Sequence, residues 1–350
     1  MKRFLKILLF IVLLPCVVLI IVILYATITD YKPEEKEVVY KADGRGDTLS
    51  LSKTYSLLIW NIGYAGLDKQ MDFFYDGGKK VRTSKDQLDQ NISCIEKFIT
   101  GLDTIDFKLL QEVDISSRRS YHRNEVKRFS DDLSNYNAFY GKNYDVFFVP
   151  VPFTNPMGSV NSGVLSFSRY NPSEVARISF PGQYSWPKSL FMLDRCFLVM
   201  RFALSGGKQL LIVNTHNEAY DTGIIRDKQM AYLKKFMLSE YEQGNYIIVA
   251  GDWNQCPPNL QPRFSGDIFD TIDYKGIEPG YLPSGWTWSF DNTMPSNRRV
   301  DSAYIKGTTR TTVIDFFLLS PNLRSTVCKT IDLGFSCSDH QPLQIKINLQ

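Results

Sequence analysis

The chain has 350 residues, 44% of them hydrophobic and 22% charged, which excludes a disordered or fibrous protein and leaves an ordinary globular one. A net charge of +3 is too small to argue by itself for a nucleic-acid partner. Six scattered cysteines without a CxxC pair offer neither a zinc framework nor a disulfide-rich scaffold.

Met1-Lys2-Arg3 and Lys6 precede an uncharged run from Ile7 to Ala26. About twenty apolar residues match the hydrocarbon thickness of a bilayer, and the run is longer than the roughly 7–15-residue core of a cleaved signal peptide. Residues 7–26 are therefore expected to be a transmembrane anchor or uncleaved signal, with residues 1–6 as a cytoplasmic tail. Basic residues on the short N-terminal side stay in the cytoplasm by the positive-inside rule, placing the rest of a single-pass protein on the extracytoplasmic side. Residues 27–53 contain Lys32-Pro33-Glu34-Glu35-Lys36-Glu37 and Asp43-Gly44-Arg45-Gly46-Asp47 and read as a linker. With no internal repeat and no second break in composition, residues 54–350 are expected to form one domain.

Within that domain, short β-branched and aromatic runs bounded by turn residues predict strands over Ser56–Trp60, Phe107–Leu110, Val164–Phe167, Phe197–Phe202, Gln209–Val213, Tyr246–Ala250, Val313–Leu319 and Leu343–Leu349. Two helices carry apolar residues at three- and four-residue spacing. One spans Ser84–Leu102 through Leu88, Ile92, Ile95 and Ile99, and the other spans Arg226–Tyr241 through Met230, Leu233 and Met237. Many strands and few helices predict a layered α/β sandwich. A Cys328–Cys337 bridge is conceivable, although spacing alone does not establish its geometry.

The chemistry gathers where apolar runs stop. Asn61 ends the first run, Gln111-Glu112 the second, Asn214-Thr215-His216 a third, and Gly251-Asp252-Trp253-Asn254 a fourth. Ser338-Asp339-His340 stands just before the last strand, so two of the three histidines lie at such junctions. Taken singly, each has a bland explanation. Gly-Asp-x-Asn makes a turn whose side chains bond their own backbone, and a lone histidine is as readily a satisfied core residue. Taken together they offer oxygen ligands of the kind that hard divalent cations accept. Asp315 adds a carboxylate to an apolar strand, where it needs a partner, and a histidine is the natural one. If the strands of Asp315 and His340 run antiparallel to the others, all these residues gather at one edge.

In this order the motifs resemble those of the endonuclease/exonuclease/phosphatase superfamily, the DNase I-like fold, over about residues 54–350. The resemblance implies a four-layer α/β/β/α sandwich and hydrolysis of phosphate esters that depends on Mg²⁺ or Mn²⁺. It further implies that Glu112 is the principal metal ligand, with Asn61 on the metal or phosphate and Asp339 as a further ligand. Asp252 would activate or position water, Asn254 would hold the phosphate, His216 and His340 would stabilise charge or move protons, and Asp315 would orient His340. Arg195 matches a phosphate-facing basic position. The chain lacks the acidic residue that some nucleases place two positions after the asparagine, and the Trp-Cys-Asp-Arg-type segment of inositol-phosphate phosphatases.

The leading expectation is a monomeric phosphodiesterase or phosphatase tethered to a lipid bilayer, acting on a phospholipid or sphingolipid headgroup. Trp286, Trp288 and Phe290 could enter the interface or pack on the domain itself. An extracytoplasmic nuclease is the alternative, with Arg118-Arg119, His122-Arg123 and Arg298-Arg299 on phosphates. A binding domain without catalysis is a third reading.

Overall fold

Runs such as Leu57-Leu58-Ile59-Trp60 leave no alternate position for a polar residue, which demands a sheet covered on both faces. The computed structural model, which describes residues 2–221, 223–264, 268–270 and 275–350, supplies two such sheets. The helices are α1 (Lys2–Thr29), α2 (Lys85–Gly101), α3 (Glu125–Asp132) and α4 (Ile224–Glu242). The strands begin with β1 (Lys36–Lys41), β2 (Thr48–Leu49), β3 (Thr54–Asn61), β4 (Phe107–Asp114), β5 (Asn137–Val149), β6 (Gly158–Ser168), β7 (Glu174–Ser179) and β8 (Cys196–Leu204). They continue with β9 (Gln209–His216), β10 (Tyr246–Asp252), β11 (Ile268–Phe269), β12 (Thr287–Ser289), β13 (Asn297–Arg298), β14 (Arg310–Thr312), β15 (Asp315–Leu319), β16 (Leu323–Thr330) and β17 (Leu343–Leu349).

One sheet runs β1-β7-β8-β9-β10-β15-β12, with β2 paired to β8, and the other runs β16-β17-β3-β4-β6-β5. Both are mixed, since β9 and β10 are parallel, as are β3 and β4, among antiparallel neighbours. Alternation along each strand sorts the side chains into layers. Ile59 and Leu109 point into the core shared with Ile212 and Phe317 of the facing sheet. Their neighbours Trp60 and Leu110 point outward under Ile92, Ile95 and Ile99 of α2 and Phe129 of α3. On the other side Met230, Leu233 and Met237 of α4 cover the first sheet. The result is the expected four-layer α/β/β/α sandwich. Helix α2 begins where its sequence signal lies, with the Ser84 hydroxyl accepting the Gln87 N–H at 3.2 Å.

Two expectations are corrected and one open alternative is decided. The segment read as a linker is part of a sheet, because β1 pairs antiparallel with β7 and β2 pairs with β8. Val38-Val39-Tyr40 is good strand material, and it covers what would otherwise be the open edge of β7. Cys337 is bonded to Cys94 of α2, with Cα atoms 6.3 Å apart, and not to Cys328. Cys337 faces the core beneath α2, whereas Cys328 packs against the core on the other side of its sheet. Lastly, the Trp286–Phe290 loop packs on the domain, with Trp286 edge-on to Tyr241 and Trp288 edge-on to Trp253.

Helix α1 contains a 21-residue apolar stretch, Leu9–Thr29, long enough to cross a membrane or to be a signal sequence, with little of it buried against the protein.

Gly251 joins β10 to its functional end. Its φ is +139°, and a Cβ there would overlap the Thr215 carbonyl oxygen of β9. Gly251→Ala is therefore expected to cost about 1–3 kcal/mol of stability, read as a lower urea midpoint. An unchanged midpoint would show that the strand pair can part there freely.

Candidate active site

The register of the strands assembles the site. Asp252 at the end of β10 pairs directly with His216 at the end of parallel β9 and with Asp315 at the start of antiparallel β15. Residues opposite one another in a sheet share a face, so these three form a row. In the other sheet Asn61 ends β3 beside Gln111 of β4. The pairing of β4 with β6 slips between Leu110 and Val113, and Glu112 lies within this bulge at φ +55°. A bulge re-aims a side chain that plain alternation would send elsewhere. Glu112 thereby joins the others.

Asn61 couples the two sheets. Its Nδ2 donates to Glu112 Oε1 at 3.1 Å and to Asp252 Oδ2 at 2.9 Å. Its Oδ1 accepts the Gly63 N–H at 3.0 Å. The loop carrying Asp339 and His340 is pinned to the same strand end. Ser338 Oγ donates to the Asn61 carbonyl at 2.8 Å, and Trp60 Nε1 donates to the His340 carbonyl at 2.9 Å. Because β17 runs antiparallel to β3, this loop reaches the edge where β3 ends.

Asp315 has the partner its burial requires. His340 Nδ1 lies 2.8 Å from Asp315 Oδ2, which also accepts from Ser296 Oγ at 2.7 Å. His340 Nε2 faces Asp252 Oδ2 at 3.7 Å and Asp339 Oδ2 at 4.0 Å. Burial works against a charged ring, yet the carboxylates of Asp315, Asp339 and Asp252 outweigh it and push His340 up to about 10. His216 goes the other way. Its Nε2 lies 3.7 Å from Asp252 and 3.9 Å from Glu112, contacts that favour a charged ring. Burial and the positive charges of Arg195, His340 and Arg119 prevail and hold it well below 6.5. The ring is neutral, since its buried Nδ1 has no hydrogen-bond partner among the described residues to accept a second proton. Asn297 Nδ2 lies 2.9 Å from His340 Nε2, so a charged His340 requires the Asn297 amide to turn its oxygen to that N–H; with that flip the site pairs an imidazolium with a neutral imidazole.

Burial, with Asp315 nearby, raises Asp252 to about 6 despite His340, and burial with Glu112 and Asp76 raises Asp339 to about 7 despite His340 and Arg298. Uncompensated negative charge on oxygen donors suits a hard divalent cation. Asp252, Asp315 and His340 also bring ligand atoms within 4.8 Å of one another. In that trio, however, Asp315 and His340 are already hydrogen-bonded to each other, which suits proton handling better than ligation. The carboxylates of Glu112, Asp252 and Asp339 line the same cavity and could offer oxygen donors to such a cation.

These shifts predict a pH dependence. The folded pKa of His340 lies above the ordinary 6.5, so its contribution to stability is complete below that value and is lost as pH rises through about 10. Raised Asp252 and Asp339 act in the same direction, since each is destabilised by ionising as pH rises through about 6 and about 7. Thermal melts in chelator should therefore fall from pH 6.5 to pH 10, and His340→Asn should flatten the upper part of that fall. A rising melting temperature would contradict the charges assigned here.

A cavity of about 400 Å³ opens over this cluster, lined by Glu112, His216, Asp252, Asn254, Asp339 and His340. Asn254 sits at φ +49°, and its N–H donates to Asp252 Oδ1 at 2.8 Å, so the turn reading of this motif holds alongside the functional one. Arg195 is buried in the cavity wall with Nε 3.5 Å from Glu218 Oε2, and its Nη1 has no hydrogen-bond partner among the described residues. All the residues singled out from the sequence thus converge, Asp315 from behind His340.

Other members of the site escaped sequence reasoning. Ser296 holds Asp315, and Asn297 pairs with His340 across an isolated bridge. Tyr64 lines the cavity with an unpartnered buried hydroxyl, its ring capped by the Arg119 guanidinium at 3.7 Å. The signal for Ser296-Asn297 was overshadowed by the arginines after them. Arg298 is buried and donates to the carbonyls of Asp68, Met71, Arg299 and Ser302. Arg119 chelates Asp114, and Arg123 pairs with Asp89. These basic residues are committed to holding the domain together.

The model of the Endonuclease/Exonuclease/phosphatase family matches residues 58–340. No curated protein matches the chain. Among solved structures it is similar to an endonuclease/exonuclease/phosphatase from Beutenbergia cavernae DSM 12333, at 15% identity and TM-score 0.55, over 85% of this chain and 72% of that one. It is also similar to D. rerio TDP2 complexed with single strand DNA product, at 15% identity and TM-score 0.54, over 85% and 99% of the two chains. A third is ANGEL2, a 2',3'-cyclic phosphatase, in complex with adenosine-2',3'-vanadate, at 16% identity and TM-score 0.54, over 91% and 99%. At such identities the likeness speaks for the fold alone.

Proposed function

The chain belongs to the endonuclease/exonuclease/phosphatase family, and from that premise we propose that it is a phosphate-ester hydrolase dependent on Mg²⁺ or Mn²⁺ and tethered to a membrane by α1. The observation that carries this reading is the convergence of His216 and His340 on Asp252, each ring 3.7 Å from its carboxylate and in contrasting surroundings, in a cavity rich in carboxylates. Groups whose surroundings push their pKa values apart are what acid–base chemistry needs.

Glu112 and Asp339 would hold the cation, with Asn61 fixing Glu112 and Asp252 in place. A bound divalent cation supplies polarisation of a phosphoryl oxygen and offsets the charge that develops on it. Asp252, ionised and held by Asn61, is placed to orient an attacking water and draw its proton. His340, kept charged by Asp315, stabilises the phosphoryl oxygens or protonates the leaving oxygen. Neutral His216 donates or accepts one hydrogen bond beside it. Arg195 Nη1, and the second N–H of the Asn254 amide whose first donates to the Asn217 carbonyl at 2.9 Å, would grip the phosphate.

The substrate we favour is a phospholipid or sphingolipid headgroup ester, on the strength of α1. The Cys94–Cys337 bond favours an oxidising compartment and so an extracytoplasmic domain. Nucleic acid is the second reading, given the DNA product bound by D. rerio TDP2. Against it, Arg119, Arg123 and Arg298 of the basic segments are bonded within the protein, which leaves fewer cations to grip a phosphate backbone. The test is turnover by the full chain in vesicles with Mg²⁺ or Mn²⁺, comparing bis-p-nitrophenyl phosphate, sphingomyelin, phosphatidylcholine, inositol phosphates, DNA and RNA. Hydrolysis of none of them, or hydrolysis that persists in chelator, would defeat the proposal.

A further inference from the structure

We propose that the catalytic domain makes its own contact with the bilayer through an aromatic rim beside the end of α1, so that the mouth of the active-site cavity opens at the lipid surface. This rests on the reading of α1 as a membrane anchor. The observations are the placement of Phe147, Phe153 and Trp186. Phe153 is 87% exposed and Trp186 is 62% exposed, on two separate loops. Isolated exposed aromatics need no explanation, but Trp186 and Phe147 touch the anchor, and Phe153 stands on the loop that follows Phe147. Trp186 Nε1 donates to Thr27 Oγ1 at 3.3 Å, and Phe147 meets Tyr25 edge-on at 4.9 Å between ring centroids. Tyr25 and Thr27 belong to the apolar stretch Leu9–Thr29 itself. Side chains that touch them lie where hydrocarbon gives way to headgroups, the level at which tryptophan and tyrosine concentrate in membrane proteins.

The same two loops build the cavity wall. The loop bearing Phe153 joins β5 to β6 and ends at Met157, while the loop bearing Trp186 joins β7 to β8 and passes through Leu193 and Arg195. Met157, Leu193 and Arg195 line the cavity. Tyr144 of β5 donates to the Phe191 carbonyl at 2.9 Å, tying one loop's strand to the other loop. The β7–β8 loop, and the end of β5 with the loop that follows it, therefore lead from the end of α1 to the cavity. A headgroup phosphate ester could enter from the bilayer while its acyl chains stayed among the aromatic side chains, whereas a soluble polymer would find this side occupied by lipid.

Tryptophan fluorescence tests the contact without reference to catalysis. The chain has five tryptophans. Trp60 and Trp253 are buried, Trp286 and Trp288 are packed on the domain, and Trp186 alone is exposed. The full chain in phosphatidylcholine vesicles should lose emission when the lipid is replaced by phosphatidylcholine brominated at carbons 6 and 7. Trp186→Phe, which keeps an aromatic ring at the loop tip, should remove most of that quenching. Equal fractional quenching of the two proteins would overturn the proposal. A second arm uses the double variant Phe153→Ser/Trp186→Ser. Hydrolysis of a vesicle-borne headgroup ester should fall by at least about tenfold, as expected for losing two apolar anchors, with turnover of dissolved bis-p-nitrophenyl phosphate unchanged. Equal losses on both substrates would overturn the link between rim and site. If no lipid is hydrolysed while Trp186 still accounts for the quenching, the headgroup reading fails and the membrane contact stands.

Discussion

Replacing Glu112 with glutamine is expected to abolish divalent-cation binding and phosphoester hydrolysis while leaving the metal-free protein at least as stable as the wild type. Glu112 is held by the Asn61 amide at one of its oxygens, an interaction that a glutamine carbonyl can still accept. The bulge backbone at φ +55° is strained equally in both proteins. What changes is charge. Asp339 is pushed up to about 7 by burial and by Glu112, so removing that neighbour relieves repulsion when no cation is present. With the cation the balance reverses, because a carboxylate ligand is lost. Lewis-acid help is worth several kcal/mol, which corresponds to a rate loss on the order of 10³-fold or more. Calorimetric titration with Mn²⁺, thermal melting in chelator, and turnover of bis-p-nitrophenyl phosphate would be compared for the two proteins. Tight Mn²⁺ binding with near-normal turnover would remove Glu112 from the ligand set.

Most of the site stands where strands end and chemistry begins, whereas β4 continues past Glu112 to Asp114. Asn61, His216 and Asp252 follow apolar runs directly, and a run of buried residues that stops at a polar one marks its position without any knowledge of the partner strand. Strand direction was the missing premise for Asp315 and His340, and the antiparallel pairings of β15 with β10 and of β17 with β3 supply it. The bulge at Glu112 left no trace in the sequence, because alternation says which face a residue takes only while the register holds.

Features that depend on contacts between distant segments were not legible. Cys94 and Cys337 are separated by 243 positions, and only the packing of the last loop beneath α2 brings them together. Ser296 lies in a loop whose arginines drew attention first, yet its hydroxyl shapes the acid–base pair by bonding Asp315. Strand β1 reads as linker from its sequence because its lysines and glutamates suit an exposed edge as well as they suit a flexible tether. Residues 137–149 mix aromatic with polar positions and became the long strand β5 through its pairing with β6. Composition alone could not have separated those outcomes.

Asp315→Asn is expected to lower turnover by about 10²- to 10⁴-fold, the usual worth of general acid–base help, with little change in cation affinity. The substitution keeps the shape of the side chain. An amide oxygen at the Oδ2 position can still accept from Ser296 Oγ and from His340 Nδ1, so the ring stays oriented. The opposite oxygen, Oδ1, is buried without a hydrogen-bond partner, so an NH₂ placed there exchanges one unsatisfied group for another. What is lost is the negative charge that leads the carboxylates in keeping His340 protonated. Its pKa should fall, and the alkaline limb of the rate profile should move toward neutrality with it. His340→Ala should lose at least as much rate, since it removes the group that Asp315 serves. The double variant should then be scarcely slower than His340→Ala, because residues that act as one unit are not additive. Turnover of bis-p-nitrophenyl phosphate at saturating Mg²⁺, measured for the wild type, both single variants and the double, decides the matter. Losses that multiply would mean that Asp315 and His340 contribute separately, and the hydrogen bond between them would be a detail of packing rather than part of the chemistry.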